Sequence, residues 1–163
     1  MRIYVLEDDW LDEEDLTKTI VRRVPQAVVV TDQSEHQFRE RLKRWVEGSE
    51  PVPDLCVLDV RVRWTFPAPD APKSPPGWDE DEGYRRAGIR AARLIKAEPR
   101  LQHTFVVLIS ALDVHSTQRH AGDLTLHDLP LHSPSREGVY FFEKSPELRP
   151  FEQFLTLCRP APA

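Results

Sequence analysis

The chain has 163 residues, about one domain's worth, with 40% hydrophobic and 30% charged residues, the balance of a globular chain rather than a disordered or collagenous one. Its net charge of -5, from 27 acidic against 22 basic residues, argues against direct nucleic-acid binding, which would show a basic stripe. No window approaches the roughly 18 consecutive apolar residues of a membrane span, and the N-terminus lacks the basic-then-apolar layout of a signal peptide, so a cytoplasmic protein without membrane contact is expected.

The opening run Arg2-Ile3-Tyr4-Val5-Leu6 is short, apolar and β-prone and stops at Glu7-Asp8-Asp9, which predicts a buried strand. Leu16, Ile20 and Val24 follow at helical spacing, closed by Pro25. The acids at the start of that helix, Asp12, Glu13, Glu14 and Asp15, read as a solvated face favoured by the helix dipole. Ala27 to Thr31 predicts a second strand. Ser34 and Gln37 make a capping box, and the helix they open carries Phe38, Leu42, Trp45 and Val46 on one face before Gly48 stops it.

Leu55-Cys56-Val57-Leu58 predicts a third buried strand, ending on Asp59. An insertion from Val62 to Glu82 then breaks the rhythm with Pro67, Pro69, Pro72, Pro75 and Pro76. Helical order returns around Gly83, with Ile89, Ala92 and Ile95 on one face and Pro99 as a stop. Thr104 to Ile109 predicts a fourth strand ending on Ser110. Asp113 to Ala121 gives a weak fourth helix stopped by Gly122. Val139 to Phe142 predicts a fifth strand ending on Glu143-Lys144. Ser145-Pro146 is a good helix entry, and the last helix carries Leu148, Phe151 and Leu155. Residues 159–163 form a tail.

Short, wholly apolar strands alternating with helices predict an α/β domain over residues 1–158, with a parallel sheet covered on both faces. The two cysteines, Cys56 and Cys158, make neither a disulfide framework nor a CxxC pattern and read as ordinary buried or half-buried thiols. The six glycines form no GxGxxG or Walker loop. His115, His120, His127 and His132 lack the tight spacing of a zinc site and read as exposed loop histidines. Leu124, Leu126, Leu129 and Leu131 in the same stretch either pack on the core or offer an apolar contact.

In an open parallel sheet, functional residues gather at the carboxyl ends of the strands. Those ends bring Glu7, Asp8 and Asp9, Asp59, Ser110 and Lys144 to one rim. Carboxylates that close need a cation, and a hard divalent ion such as Mg2+ takes oxygen ligands from them. A lysine and a hydroxyl facing that ion suit phosphoryl oxygens. The set fits phosphoryl transfer onto an aspartate, where catalysis is mostly positioning and charge neutralisation.

With those residues at those strand ends, the chain resembles the receiver domain of two-component response regulators over nearly all its length except the insertion. The resemblance implies a flavodoxin-like, five-stranded parallel sheet of order 2-1-3-4-5. It makes Asp59 the phospho-acceptor, Asp8 a direct Mg2+ ligand with Glu7 its acidic partner, Asp59 a second ligand and the backbone carbonyl of Arg61 a third. It makes Ser110 the switch hydroxyl, Ala111 the small residue after it, Lys144 the phosphate-pairing lysine and Phe141 the switch aromatic. The donor is then a histidine kinase or histidine phosphotransfer protein. The output passes through protein contacts, and helix four, strand five and helix five are where a homodimer or hetero-complex would form.

Three features depart from the family. Lys144 is followed by Ser145 where the family has a proline after a cis bond, and a cis bond before serine would cost about 2.5–4 kcal/mol. The loop after Asp59 is longer. The stretch from Asp113 to Gly138 gives only that weak helix. The insertion must emerge beside Asp59, and its Trp64, Phe66 and Trp78 are either a stiff surface loop or a lid or docking surface. Two rival functions stand beside the receiver. One is a receiver-like interaction module not controlled by phosphorylation. The other is a haloacid-dehalogenase-type phosphohydrolase, which would need a second aspartate where Arg61 stands.

Overall fold

A computed structural model describes residues 1–78, 83–111, 126–127 (backbone alone), 138–144 and 148–158. Strand β1 (Arg2–Leu6) sends Ile3 and Val5 to one side of the sheet and Tyr4 and Leu6 to the other, all buried. Helix α1 (Trp10–Arg23) opens at Asp9, whose carboxylate accepts the N–H groups of Leu11 and Asp12 at 2.9 and 3.4 Å. The third acid after β1 is therefore a helix cap.

Strand β2 (Val28–Asp32) leads to helix α2 (Glu35–Glu47). Ser34 Oγ accepts from the Gln37 N–H at 3.3 Å, as a capping serine should, but the Gln37 side-chain oxygen accepts from the N–H of Gln33 at 3.0 Å. Gly48 ends α2 at φ 79°, the left-handed conformation in which glycine meets no Cβ penalty. On α2 the expected apolar face is partly corrected: Phe38 and Trp45 are buried and Leu42 half-buried, but Val46 is exposed. Position 46 follows Trp45 by about 100° around the helix, away from the sheet.

Strand β3 (Leu55–Asp59) is buried throughout. A 3-10 turn, Gly83–Arg86, feeds helix α3 (Ala87–Ala97), followed by β4 (Phe105–Ser110), β5 (Leu126–His127), β6 (Val139–Glu143) and helix α4 (Arg149–Leu157). The sheet is parallel throughout, in the order β2-β1-β3-β4-β6-β5. Its five long strands follow the expected 2-1-3-4-5. The two-residue β5, pairing Leu126 with Val139 and His127 with Tyr140, is an addition at the outer edge that local pattern did not indicate.

At the opposite edge the sheet is less covered than the expected burial of both faces. β2 has a neighbour on one side only, and Val28 is 53% exposed. The last helix begins at Arg149 with Pro150 in its first turn, later than the Ser145-Pro146 entry. That entry and the Lys144–Ser145 bond with it, the Asp113 to Ala121 helix, Leu124, Leu129, Leu131, His115, His120, His132 and the 159–163 tail lie outside the described residues.

Two cores flank the sheet. Tyr4, Phe38, Trp45, Leu58, Ile89, Ile95 and Leu108 pack on the α2–α3 side, and Ile3, Val5, Leu16, Ile20, Val57, Phe151 and Phe154 on the α1–α4 side. Each such fully buried side chain is worth roughly 1.5–3 kcal/mol, so burial on both faces holds the strand ends in fixed register. Among the described residues no helix is long and apolar enough to cross a membrane.

One close approach sets the geometry of the rim. The Gly88 N–H donates to the Val60 carbonyl at 3.2 Å, and a Cβ on Gly88 would stand 2.0 Å from the carbonyl oxygen of Asp59. Only glycine lets the start of α3 rest directly on the end of β3.

Candidate functional site

The ends of β1, β3, β4 and β6 meet at one rim. The Glu7 N–H donates to the Asp32 carbonyl at 3.1 Å, so the residue after β1 stays in register with the end of β2. The Lys144 N–H donates to the Ser110 carbonyl at 2.7 Å, which ties the residue after β6 to the end of β4. Asp59 is the last residue of β3, buried, and its carboxylate accepts the Arg61 N–H.

These restraints gather the charged groups. One carboxylate oxygen from each of Glu7, Asp8 and Asp59 lies within 4.8 Å of the others. Lys144 Nζ is 2.7 Å from Glu7 Oε2, 2.9 Å from Asp12 Oδ2 and 3.3 Å from Asp59 Oδ2. Glu7 is fully buried and its other oxygen accepts the Asp9 N–H at 3.1 Å. Ser110 is buried beside them, Ala111 is exposed, and Phe141 is buried in the α2–α3 core.

Burial, and then the charge of Asp59, push the Glu7 carboxyl up to about 7, against the pull of Lys144 and the Asp9 N–H. Asp59 is raised as well, first by burial and further by Asp8, with Lys144 and the Arg61 N–H opposing. Burial alone would lower the Lys144 ammonium, but Asp59 and Glu7 beside it hold it above its ordinary value. The carboxyls are raised although a lysine already sits among them, so the rim is short of positive charge. Three hard oxygen donors within reach of one centre suit a divalent ion such as Mg2+.

Two charged residues at the rim escaped the sequence reading. Asp12 stood in an acidic run that reads as solvated face, yet its carboxylate meets Lys144. Arg63 donates to the same Asp8 oxygen, Oδ2, from its backbone N–H at 3.2 Å and from Nε at 2.9 Å. Alternate residues of an extended chain share a side, so the series Asp59, Arg61, Arg63 held a signal for Arg63.

The described part of the insertion packs beside the rim. The N–H groups of Glu35 and His36, otherwise unmet at the start of α2, donate to the carbonyls of Arg63 and Trp64 at 2.9 and 3.0 Å. Trp64 stacks near His36 and Trp78, with ring centroids 5.3 and 6.3 Å away, and its Nε1 donates to the Pro72 carbonyl at 2.9 Å. Trp78 Nε1 donates to the buried carboxylate of Glu35 at 2.7 Å. Arg90 and Arg39 donate to the same carboxylate. Phe66 lies under the Arg63 guanidinium, 4.5 Å from ring centre to Cζ.

No family profile matches the sequence, and no curated protein is similar to it in sequence. In three dimensions the neighbours are receiver domains. The phosphorylated cyanobacterial phytochrome response regulator RcpA matches with a TM-score of 0.56 at 19% identity, over 95% of this chain and 88% of that one. A signal receiver domain of a two-component histidine kinase from Clostridium thermocellum matches with a TM-score of 0.59 at 11% identity, over 95% and 96%. The receiver domain of the sensor histidine kinase PA1611 from Pseudomonas aeruginosa PAO1, which has a magnesium ion coordinated in its active site cleft, matches with a TM-score of 0.56 at 13% identity, over 94% and 93%. The chain has the flavodoxin-like fold of receiver domains, and an acidic cluster stands at the carboxyl ends of its strands.

Proposed function

We propose that the protein is a cytoplasmic phospho-accepting receiver of a two-component system, with Asp59 as acceptor and Mg2+ as its metal. Glu7, Asp8, Asp59 and the Arg61 carbonyl would hold the ion, which would neutralise charge on the transferring phosphoryl group. The convergence of the Glu7, Asp8 and Asp59 carboxylates with the Lys144 ammonium at one set of strand ends carries this reading.

A carboxylate oxygen of Asp59 attacks the phosphorus of a phosphohistidine in line. The P–O bond forms as the P–N bond breaks, and the imidazole leaves with the electron pair and takes a proton. The donor is a histidine kinase or histidine phosphotransfer protein. Lys144 shifts from Glu7 and Asp12 to pair with a phosphoryl oxygen, and the Ser110 hydroxyl closes on another. Phe141, on the strand ending at that lysine, follows Ser110 as the switch between two conformations. Water later attacks the phosphorus, releasing inorganic phosphate and restoring the carboxylate. The signal leaves through contact with a downstream protein or a second copy of the chain.

Incubation with Mg2+ and acetyl phosphate, followed by intact mass measurement, should show one added phosphoryl group that Asp59→Ala lacks. Mass unchanged in the unsubstituted protein, with beryllofluoride also failing to bind, would overturn the assignment.

A further inference from the structure

Arg63 stands where a metal ion's charge is needed. Its backbone N–H and its Nε both point at Oδ2 of Asp8, one of the three clustered carboxylates. The contact is built from the far side as well. The carbonyls of Arg63 and Trp64 accept the first two N–H groups of α2, so the main chain on which the guanidinium hangs is pinned. Trp64 is held in turn by His36, Trp78 and the Pro72 carbonyl. The Phe66 ring supports the guanidinium from beneath, a cation–π arrangement.

We infer that Arg63 is a built-in competitor for the cation site, an internal counter-ion whose guanidinium a divalent metal displaces from Asp8 as it binds. The inference rests on the metal site proposed above. Two cations drawn to one carboxylate repel each other, so metal binding and the Arg63 contact weaken each other. Arg63 is 45% exposed and Asp8 19%, and ion pairs so close to water are weak. The competitor is therefore displaced by metal rather than locking the site. Once expelled, the guanidinium swings about a fixed backbone and can face the incoming phosphoryl donor. Metal loading and the position of the Arg63 side chain are thereby coupled, in both directions.

The test is direct Mn2+ binding, read by the electron paramagnetic resonance of the free ion, which needs no phosphoryl transfer. Arg63→Ala should bind Mn2+ roughly 3- to 10-fold more tightly than the unsubstituted protein, the factor set by a weak exposed ion pair. Phe66→Ala, which leaves the charge unchanged and removes the support, should tighten binding by a smaller factor. Lys73→Ala removes one positive charge from an exposed position of the same insertion. Equal tightening by Lys73→Ala and Arg63→Ala, or none with Arg63→Ala while Asp8→Ala abolishes binding, overturns the competitor and leaves the metal site standing. Absence of Mn2+ binding in both the unsubstituted protein and Arg63→Ala overturns the metal site itself, and the competitor with it.

Discussion

Glu7 and Glu35 are both fully buried glutamates, and the protein treats them oppositely. Around Glu35, two arginines and an indole N–H converge on one carboxylate: Arg90 at 2.6 Å, Trp78 Nε1 at 2.7 Å and Arg39 at 2.8 Å. Burial would raise that carboxyl, but the bonds from Arg90, Trp78 and Arg39 together hold it below its usual range. Around Glu7 there is one ammonium, shared with Asp12 and Asp59, and the carboxyl rises to about 7. Charge balance rather than depth separates the two sites. Glu35 is neutralised and anchors α2, α3 and the insertion to one another. Glu7 shares its single ammonium with two further acids, and a region with more carboxylates than cations is prepared to receive a cation.

The harshest way to break that contrast is Glu35→Ala. It would take from Arg90, only 11% exposed, the carboxylate it meets at 2.6 Å and from Trp78 Nε1 the oxygen it donates to. Removing one member of a buried pair costs several kcal/mol, so a loss of about 4 kcal/mol in urea unfolding is expected. A loss below about 1 kcal/mol would show that Glu35 anchors nothing.

The two glutamates should also give opposite pH slopes. Glu7 in the folded chain keeps a proton up to about 7 that the unfolded chain releases near 4.5. Stability from this group is full below the unfolded value and falls as pH rises through that window, by on the order of 3 kcal/mol at its upper end. Glu35 is shifted the other way, so its contribution is present above the unfolded value of 4.5 and is lost as pH falls below it. Urea midpoints measured from pH 4 to 8 in chelator should show the Glu7 slope, and Glu7→Gln or added Mg2+ should flatten it. A slope between pH 5 and 7 that survives Glu7→Gln would assign the titration to another group.

Trp78→Phe sharpens the comparison with the smallest change. It keeps a ring near Trp64 and Arg90 and removes the bond from Nε1 to Glu35 together with part of the indole. A charge-assisted hydrogen bond of this kind is worth about 1.5 kcal/mol, and unfolding should register that loss. A loss equal to that of Glu35→Ala would mean the indole, not the arginines, carries the anchor.

Much of the rim was legible before the fold was known. Glu7, Asp8, Asp59, Ser110 and Lys144 each follow or end an apolar run, and in a parallel sheet all such runs finish on the same edge. The cap at Gly48 and the close approach at Gly88 differ in this respect. A glycine ending an amphipathic helix is a local signal, whereas nothing in the sequence around Gly88 states that a strand carbonyl will lie against its Cα. The strand β5 was illegible because two residues hold no periodicity.

Local pattern thus determined the five long strands, the helices described between and after them and the edge on which the chemistry gathers, because hydrophobic period and strand polarity are properties of neighbouring residues. Tertiary structure alone decided which charges meet. Lys144 reaches Asp12 across 132 positions, and Arg63 reaches Asp8 and Arg90 reaches Glu35 across 55 each. Coulomb energy depends on distance through space and on the water excluded between the charges, and both exist only once the sheet has closed over its two cores.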